Sequence, residues 1–201
     1  MTRKLPKMTS VTQLIALAER GAKYRYWYQD AADALEPIAA ELGVTYRQLA
    51  AAYACASPRT QVVRHLPIAI GLITGNYASG TMRMHKGLWA SYQKNAIPLA
   101  TQKRYSKVER FTQALWGYAN AIPIDVWMAV AMGLEEDTAL KRIRVIEAVT
   151  DRVRLTAAML QWPARETQAA IWGATYEIHT NRRAPPAVVT PVDTRQKRLF
   201  A

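Results

Sequence analysis

The chain has 201 residues, with 27 Lys and Arg against 15 Asp and Glu, a net charge of +12 and a pI near 10.0. That balance points to an acidic partner, nucleic acid first and an anionic membrane surface second, and 50% apolar residues suffice for a sizeable interior in one domain or two small lobes. One cysteine, Cys55, excludes an internal disulfide and a cysteine metal cage, and the absence of any uncharged apolar run of about 18 residues argues against a membrane-spanning helix.

Residues 1–9 carry Arg3, Lys4 and Lys7 with no apolar run behind them. They read as a flexible basic arm and not as a secretory signal, so a cytoplasmic protein, in a bacterial or phage-infected host cell, is expected. Ser10 with Gln13 forms a capping box that starts a helix to about Arg20, where Gly21 breaks it. Tyr24, Tyr26, Trp27 and Tyr28 then cluster. They are either a stacking platform for bases or the apolar side of a helix over about 24–42, which continues through Ala31, Leu35 and Ile38 and contains Pro37. Thr45 with Gln48 is a second capping box, opening an Ala-rich helix through Leu49, Ala52, Tyr53 and Ala56; Cys55 within it reads as a small core residue. Ser57-Pro58 has the form of a helix start, which would place Arg59, Thr60 and Gln61 at a helix N-terminus, either as a solvated cap or as an anion site. The helix predicted there runs to Ile73 with a bend at Pro67. Residues 75–94, GNYASGTMRMHKGLWASYQK, hold three Gly and two Ser and predict a loop around a short helix. Met82, Met84 and Trp89 among Arg83, His85 and Lys86 suit a base pocket or a lid on the core. A polar connection follows to Arg104.

Residues 104–134 are the stretch around which the chain is organised. Ser106 with Glu109 is a third capping box, so a helix starts at Lys107, carries Val108, Phe111, Leu115 and Trp116 on its apolar side, and stops at Gly117. After a short turn Asp125 opens a second helix, apolar on most sides through Val126, Met128, Ala129, Val130 and Met132, and therefore buried. The acid at its mouth has two readings: a plain N-cap, or a catalytic carboxylate held at the end of a buried helix. Arg59, Arg64, Arg83, Lys86, Lys94, Lys103, Arg104, Lys107 and Arg110 have only Glu109 among them as an acid, and from Phe111 to Leu134 the only charged residue is Asp125. A basic stretch running into an apolar helix pair with one carboxylate suits a polyanion laid across the site, with one acid doing chemistry.

Further on, Glu135, Glu136 and Asp137 fit a solvated helix start better than a metal site, since neighbours on one helix face different ways. Thr138 to Trp162 reads as a long helix with a basic outer face and a break expected near Thr150; Pro163 starts the last helix, through Ala169, Ile171, Trp172 and Tyr176. Residues 181–201 hold three Pro and five basic residues and read as an extended tail. His65, His85 and His179 show no metal-ligand spacing, and no phosphate-binding Gly loop or nucleophile elbow occurs, so neither metal nor cofactor is expected.

IPIDVWMAVAMGL resembles the segment that carries the catalytic Asp of the endonuclease III-type helix-hairpin-helix DNA glycosylases. LAAAYACASPRTQVVRHLPIAIGLI, residues 49–73, is similar to the early helix–loop–helix of that fold, and ETQAAIWGATYEIH, residues 166–179, to its closing helix. The hairpin of the family carries two Gly; here QKRYSKVER has none, and the family's Schiff-base Lys falls on Ser106, or on Lys107 with a slip of one. The four-cysteine iron–sulfur loop is absent. The chain looks most like divergent phage-encoded members, some of them similar to transferases proposed in thymine hypermodification. The resemblance implies an all-α, two-lobed fold of about ten helices over 10–180, acting on a base in double-stranded DNA. Asp125 would be the acid and Lys107 its companion. Ser57, Arg59, Thr60, Gln61, Arg64, Arg83, Lys86, Lys103, Arg104, Ser106 and Arg110 would touch DNA, and Tyr53, Trp89 and Trp127 would line a base pocket. The reaction is glycosidic cleavage or transfer of a small amine or amino acid to an activated hydroxymethyl pyrimidine; a monomer is expected, and a non-catalytic DNA-binding module is the alternative.

Overall fold

The computed structural model describes residues 6–95, 107–135, 140 and 142–181. The described residues hold nine α-helices, two 3-10 turns and no strand, and none of these helices is long and apolar enough to cross a membrane. They fall into two units, one of residues 6–28 and 107–181, the other of residues 29–95.

The first unit contains α1 (Val11–Arg20), the start of α2 (Trp27–Glu41), α6 (Lys107–Leu115), α7 (Val126–Ala131), α8 (Ile143–Leu160) and α9 (Ala164–Thr180). Helix α1 forms where its capping box predicts: the Ser10 hydroxyl accepts from the Gln13 N–H, and the Gln13 side chain accepts from the Ser10 N–H. Its apolar side, Leu14 and Ala18, joins Met128, Met132, Val149, Val153 and Ile171 in one core. Helix α9 packs against α1, α7 and α8. Two glycines allow this. A Cβ on Gly21 would lie 2.0 Å from the Ala170 carbonyl oxygen, and one on Gly173 would lie 2.3 Å from the Tyr24 ring. Polar ties fix the same contact, with Lys23 3.0 Å from Glu177, the Tyr24 phenol donating to Glu177 at 3.1 Å, and Arg25 paired with Glu166.

The end of the expected basic arm is docked. Thr9 donates its N–H to the Met132 carbonyl at 3.0 Å and its hydroxyl to the Ala131 carbonyl at 2.9 Å, and Met8 packs on the core. The last carbonyls of a helix lack partners within it, and Thr9 supplies them at the end of α7. Helix α8 begins at Ile143 and runs unbroken past Thr150, whose hydroxyl donates back to the Ile146 carbonyl at 2.8 Å and so stays satisfied inside the helix. The expected start at Thr138 lies outside the described residues.

The second unit contains the rest of α2, then α3 (Tyr46–Cys55), α4 (His65–Thr74) and α5 (Arg83–Asn95). Helix α3 starts at the predicted Thr45–Gln48 capping box and packs against α4 and α5. Its alanines let both neighbours approach, so every residue from Leu49 to Ala56 is fully buried. Burial pushes the Cys55 thiol up to about 12, as a core thiol requires. The short helix expected within residues 75–94 is Arg83–Asn95, 13 residues long.

The close approach at Gly21 sets a test. Gly21→Ala should cost about 1–3 kcal/mol, the range for overpacked interiors, because the atom in the way is backbone. Urea unfolding measures it, and an unchanged midpoint would mean that α1 and α9 have room to separate.

Candidate functional site at Asp125

The backbone of Asp125 is extended (φ −121°, ψ −171°) ahead of α7, which lets its side chain fold back over the helix start. One carboxylate oxygen, Oδ1, accepts from the Met128 N–H at 3.1 Å. This is the N-cap geometry. The other, Oδ2, accepts from the indole N–H of Trp172 on α9, also at 3.1 Å. A cap needs only one oxygen; the second is oriented by a side chain 47 residues further along the chain. Asp125 and Trp172 are both half-buried, so the carboxylate is fixed without being sealed off.

Aromatic rings extend from this bond on both sides. Trp172 stacks on Tyr176 with centroids 5.9 Å apart, and Tyr176 meets Trp127 edge-on at 5.4 Å. On the other side Trp172 meets Trp27 at 5.6 Å, and Trp27 stacks on Phe111 at 6.1 Å. Helices α2, α6, α7 and α9 each contribute a ring. The indole N–H of Trp27 is buried with no hydrogen-bond partner among the described residues. The aromatic cluster at 24–28 therefore divides its roles. Tyr28 is buried, its phenol donating to Gln168 at 2.7 Å; Tyr24 lies over Gly173; Trp27 joins the row beside the acid; and Tyr26 is exposed. A fixed carboxylate beside electron-rich rings can stabilise developing positive charge or accept a proton, and the rings can hold a flat ligand by stacking.

The expected site residues divide between the two units. In the first, Lys107 is the opening residue of α6, and the donors on Asp125 are Met128 and Trp172. Arg110 donates to Gln113 at 3.3 Å and borders a cavity of about 300 Å³ floored by Ile122 and Ile146, which Asp125 does not line. Trp127 lies in the aromatic row. Lys103, Arg104 and Ser106 fall outside the described residues.

In the second unit Ser57-Pro58 does not start a helix. Residues 57–61 form a loop with Arg59 at φ 57°, and α4 begins at His65 after a 3-10 turn, Val62–Arg64. Two buried histidines take the loop's carbonyls. The ring of His85 accepts the Met82 N–H on Nδ1 at 3.1 Å, so its Nε2 carries the proton and donates to the Pro58 carbonyl at 3.0 Å. His65 Nε2 lies 3.2 Å from the Thr60 carbonyl. Ser57 is not a cap: it is buried, and its hydroxyl has no partner among the described residues. Thr60 turns its hydroxyl to the Pro58 carbonyl, Gln61 precedes the 3-10 turn, and Arg59, Arg64, Arg83 and Lys86 are exposed. Tyr53 does not line an open pocket. It is fully buried in α3, edge-on to His65 at 5.0 Å, and desolvation raises its phenol above the usual range. Trp89 stacks on Tyr92 at 5.0 Å.

Trp172 is the residue that sequence reasoning missed as part of the site. Its position in the last helix marks it only as apolar, and nothing local announces that its N–H faces an acid on another helix. The bond can be measured. Asp125→Ala should cost about 1–2 kcal/mol through the lost cap, and Trp172→Phe about 1 kcal/mol through the lost donor. In the double variant about 1 kcal/mol of that sum should be missing, as for residues in direct contact; fully additive losses would mean that the two side chains do not cooperate.

Comparison with curated proteins, and with solved structures, gives no match. A family model does match: it spans residues 9–182, from the Thr9 that closes α7 to the end of α9, and takes in both Asp125 and Trp172. The chain therefore belongs to the DUF7178 family, a family of unknown function.

Proposed function

We propose that this chain is a DNA-binding enzyme that acts on a base in DNA, with Asp125 as its acid. The observation that carries the reading is a carboxylate fixed by two N–H donors, one of them from the middle ring of an aromatic row. The net charge of +12 and the resemblance of the IPIDVWMAVAMGL segment to the catalytic segment of helix-hairpin-helix glycosylases support it.

Two reactions fit this arrangement. In the first, a base leaves the stack and rests against the rings, and Asp125 stabilises the cationic sugar as the glycosidic bond breaks or orients the attacking water. In the second, the glycosidic bond survives. The nitrogen of a small amine or amino acid bonds to the exocyclic carbon of an activated hydroxymethyl pyrimidine, the activating group departs with its electron pair, and Asp125 takes the proton from nitrogen. Lys107, at the first turn of α6, is placed where a positive charge meets the unfavourable end of the helix dipole, and its role on this reading is phosphate contact. Borohydride should therefore trap no covalent adduct with abasic DNA. Trapping through Lys107 would make this a Schiff-base lyase instead.

Nucleoside mass spectrometry separates the reactions. DNA bearing an activated hydroxymethyl pyrimidine, incubated with amines, yields a heavier nucleoside on transfer and a free base on cleavage; unchanged DNA leaves a non-catalytic binding module. Affinity for a short duplex should fall steeply with salt, with a log–log slope near −0.9 per phosphate neutralised. A flat response would remove DNA as the partner. Asp125→Asn should abolish the activity while leaving duplex affinity equal or higher, since a negative charge is removed; full activity in that variant would take Asp125 out of the chemistry.

A further inference from the structure

The second unit has its own surface with a distinct chemistry. Between Glu41 and Glu109 the sequence holds no acid, while Arg47, Arg59, Arg64, Arg83, Lys86 and Lys94 all fall there. The acids of the described unit, Asp30, Asp33, Glu36 and Glu41, all lie on α2. Arg59, Arg64, Arg83 and Lys86 therefore have no acid near them in the sequence.

Three ties bring this region together into one junction. His85, fully buried, joins the start of α5 to the loop at 57–60 through the Pro58 carbonyl. The Arg64 guanidinium lies over Gly80, 3.4 Å from where a Cβ would stand. The segment 76–78 runs so close over α4 that a Cβ on Gly71 would lie 2.6 Å from the Asn76 carbonyl oxygen and 3.1 Å from the Tyr77 Cα. Tyr77 is thereby held up at the surface, 51% exposed, with the Lys86 ammonium 3.5 Å from its ring centroid. Val63 and Met84 are exposed as well. The junction thus offers an aromatic ring and apolar groups among cations, on backbone that is already fixed.

A duplex does not use such a surface fully. Its phosphates meet the cations, but its bases are stacked inside and leave an exposed ring without a partner. An unpaired strand presents phosphate and base face together: the base takes the ring face opposite the Lys86 ammonium, and the cations take the phosphates. We propose that this junction binds an unpaired stretch of a nucleic-acid strand, with Tyr77 stacking on a base and Arg64 and Lys86 meeting phosphates. The inference rests on nucleic acid being the partner of this chain, and not on any chemistry at Asp125.

Fluorescence anisotropy with the full chain tests it, using an oligothymidine of about 12 nucleotides, within the roughly 4–16 that such platforms cover, and a blunt duplex of equal length at the same salt. The strand should bind more tightly than the duplex. Tyr77→Ala should weaken strand binding roughly 5- to 100-fold and leave duplex binding nearly unchanged; Tyr77→Phe should retain it and Tyr77→Leu should lose it. That last pair decides the matter if the alanine variant fails to fold. Lys86→Gln should flatten the strand's salt dependence by about 0.7 in log–log slope. Asp125→Asn should bind the strand as the parent does. Equal binding of strand and duplex with no effect at Tyr77 overturns this inference and leaves the duplex reading standing. Binding of neither overturns both, and binding only to phosphatidylserine vesicles assigns the junction to a membrane surface instead.

Discussion

Everything in the first unit depends on α9 lying close to its neighbours. Residues with little or no side chain face them: Ala164, Ala169, Ala170, Gly173 and Ala174 are all buried. Gly21 answers from the end of α1, where the Ala170 carbonyl leaves no room for a methyl group. Dense interiors transmit such constraints, because a helix displaced at one contact is displaced along its length. Trp172 is borne on this helix and reaches Asp125 at 3.1 Å. A shift of an ångström would break the hydrogen bond, so the small residues of α9 determine the geometry of the acid.

Asp125 serves structure and site with different atoms. Oδ1 closes the start of α7, a helix of only six residues that gains from any cap it has, and Thr9 closes the other end. Oδ2 is held from outside the helix, so the rotamer of the carboxylate is determined twice. A group that must act in a fixed direction benefits from such pre-organisation, since nothing need reorganise when charge develops beside it.

The second unit is fixed by other means. Its core is the Ala-rich part of α3, fully buried from Leu49 onward, and the loop at 57–60 is held by histidine side chains instead of by regular structure. A loop with carbonyls bound to buried rings can carry a residue such as Arg59 in a left-handed conformation that an unsupported chain would leave. Arg59 is therefore presented on a stiff frame.

The sequence by itself determined what depends on residues three or four apart. The capping boxes at Ser10 and Thr45, the cap at Asp125 and the start after Pro163 stand where spacing predicts them, because a cap joins a side chain to backbone within one turn. The all-helical class was legible for the same reason, from apolar residues recurring at helical period. Charge segregation was legible too, since it needs no coordinates. Tertiary structure decided the rest. Ser57-Pro58 has the local form of a helix start, yet His85, 27 residues on, and His65 hold its carbonyls in a loop. Tyr53 carries the chemistry of a pocket residue, yet α4 and α5 close over its helix. Trp172 reads as core, yet its N–H meets the acid that caps α7. Each of these turns on which helix faces meet across tens of residues, and that is settled by the packing of small side chains in three dimensions and not by any pattern within one turn.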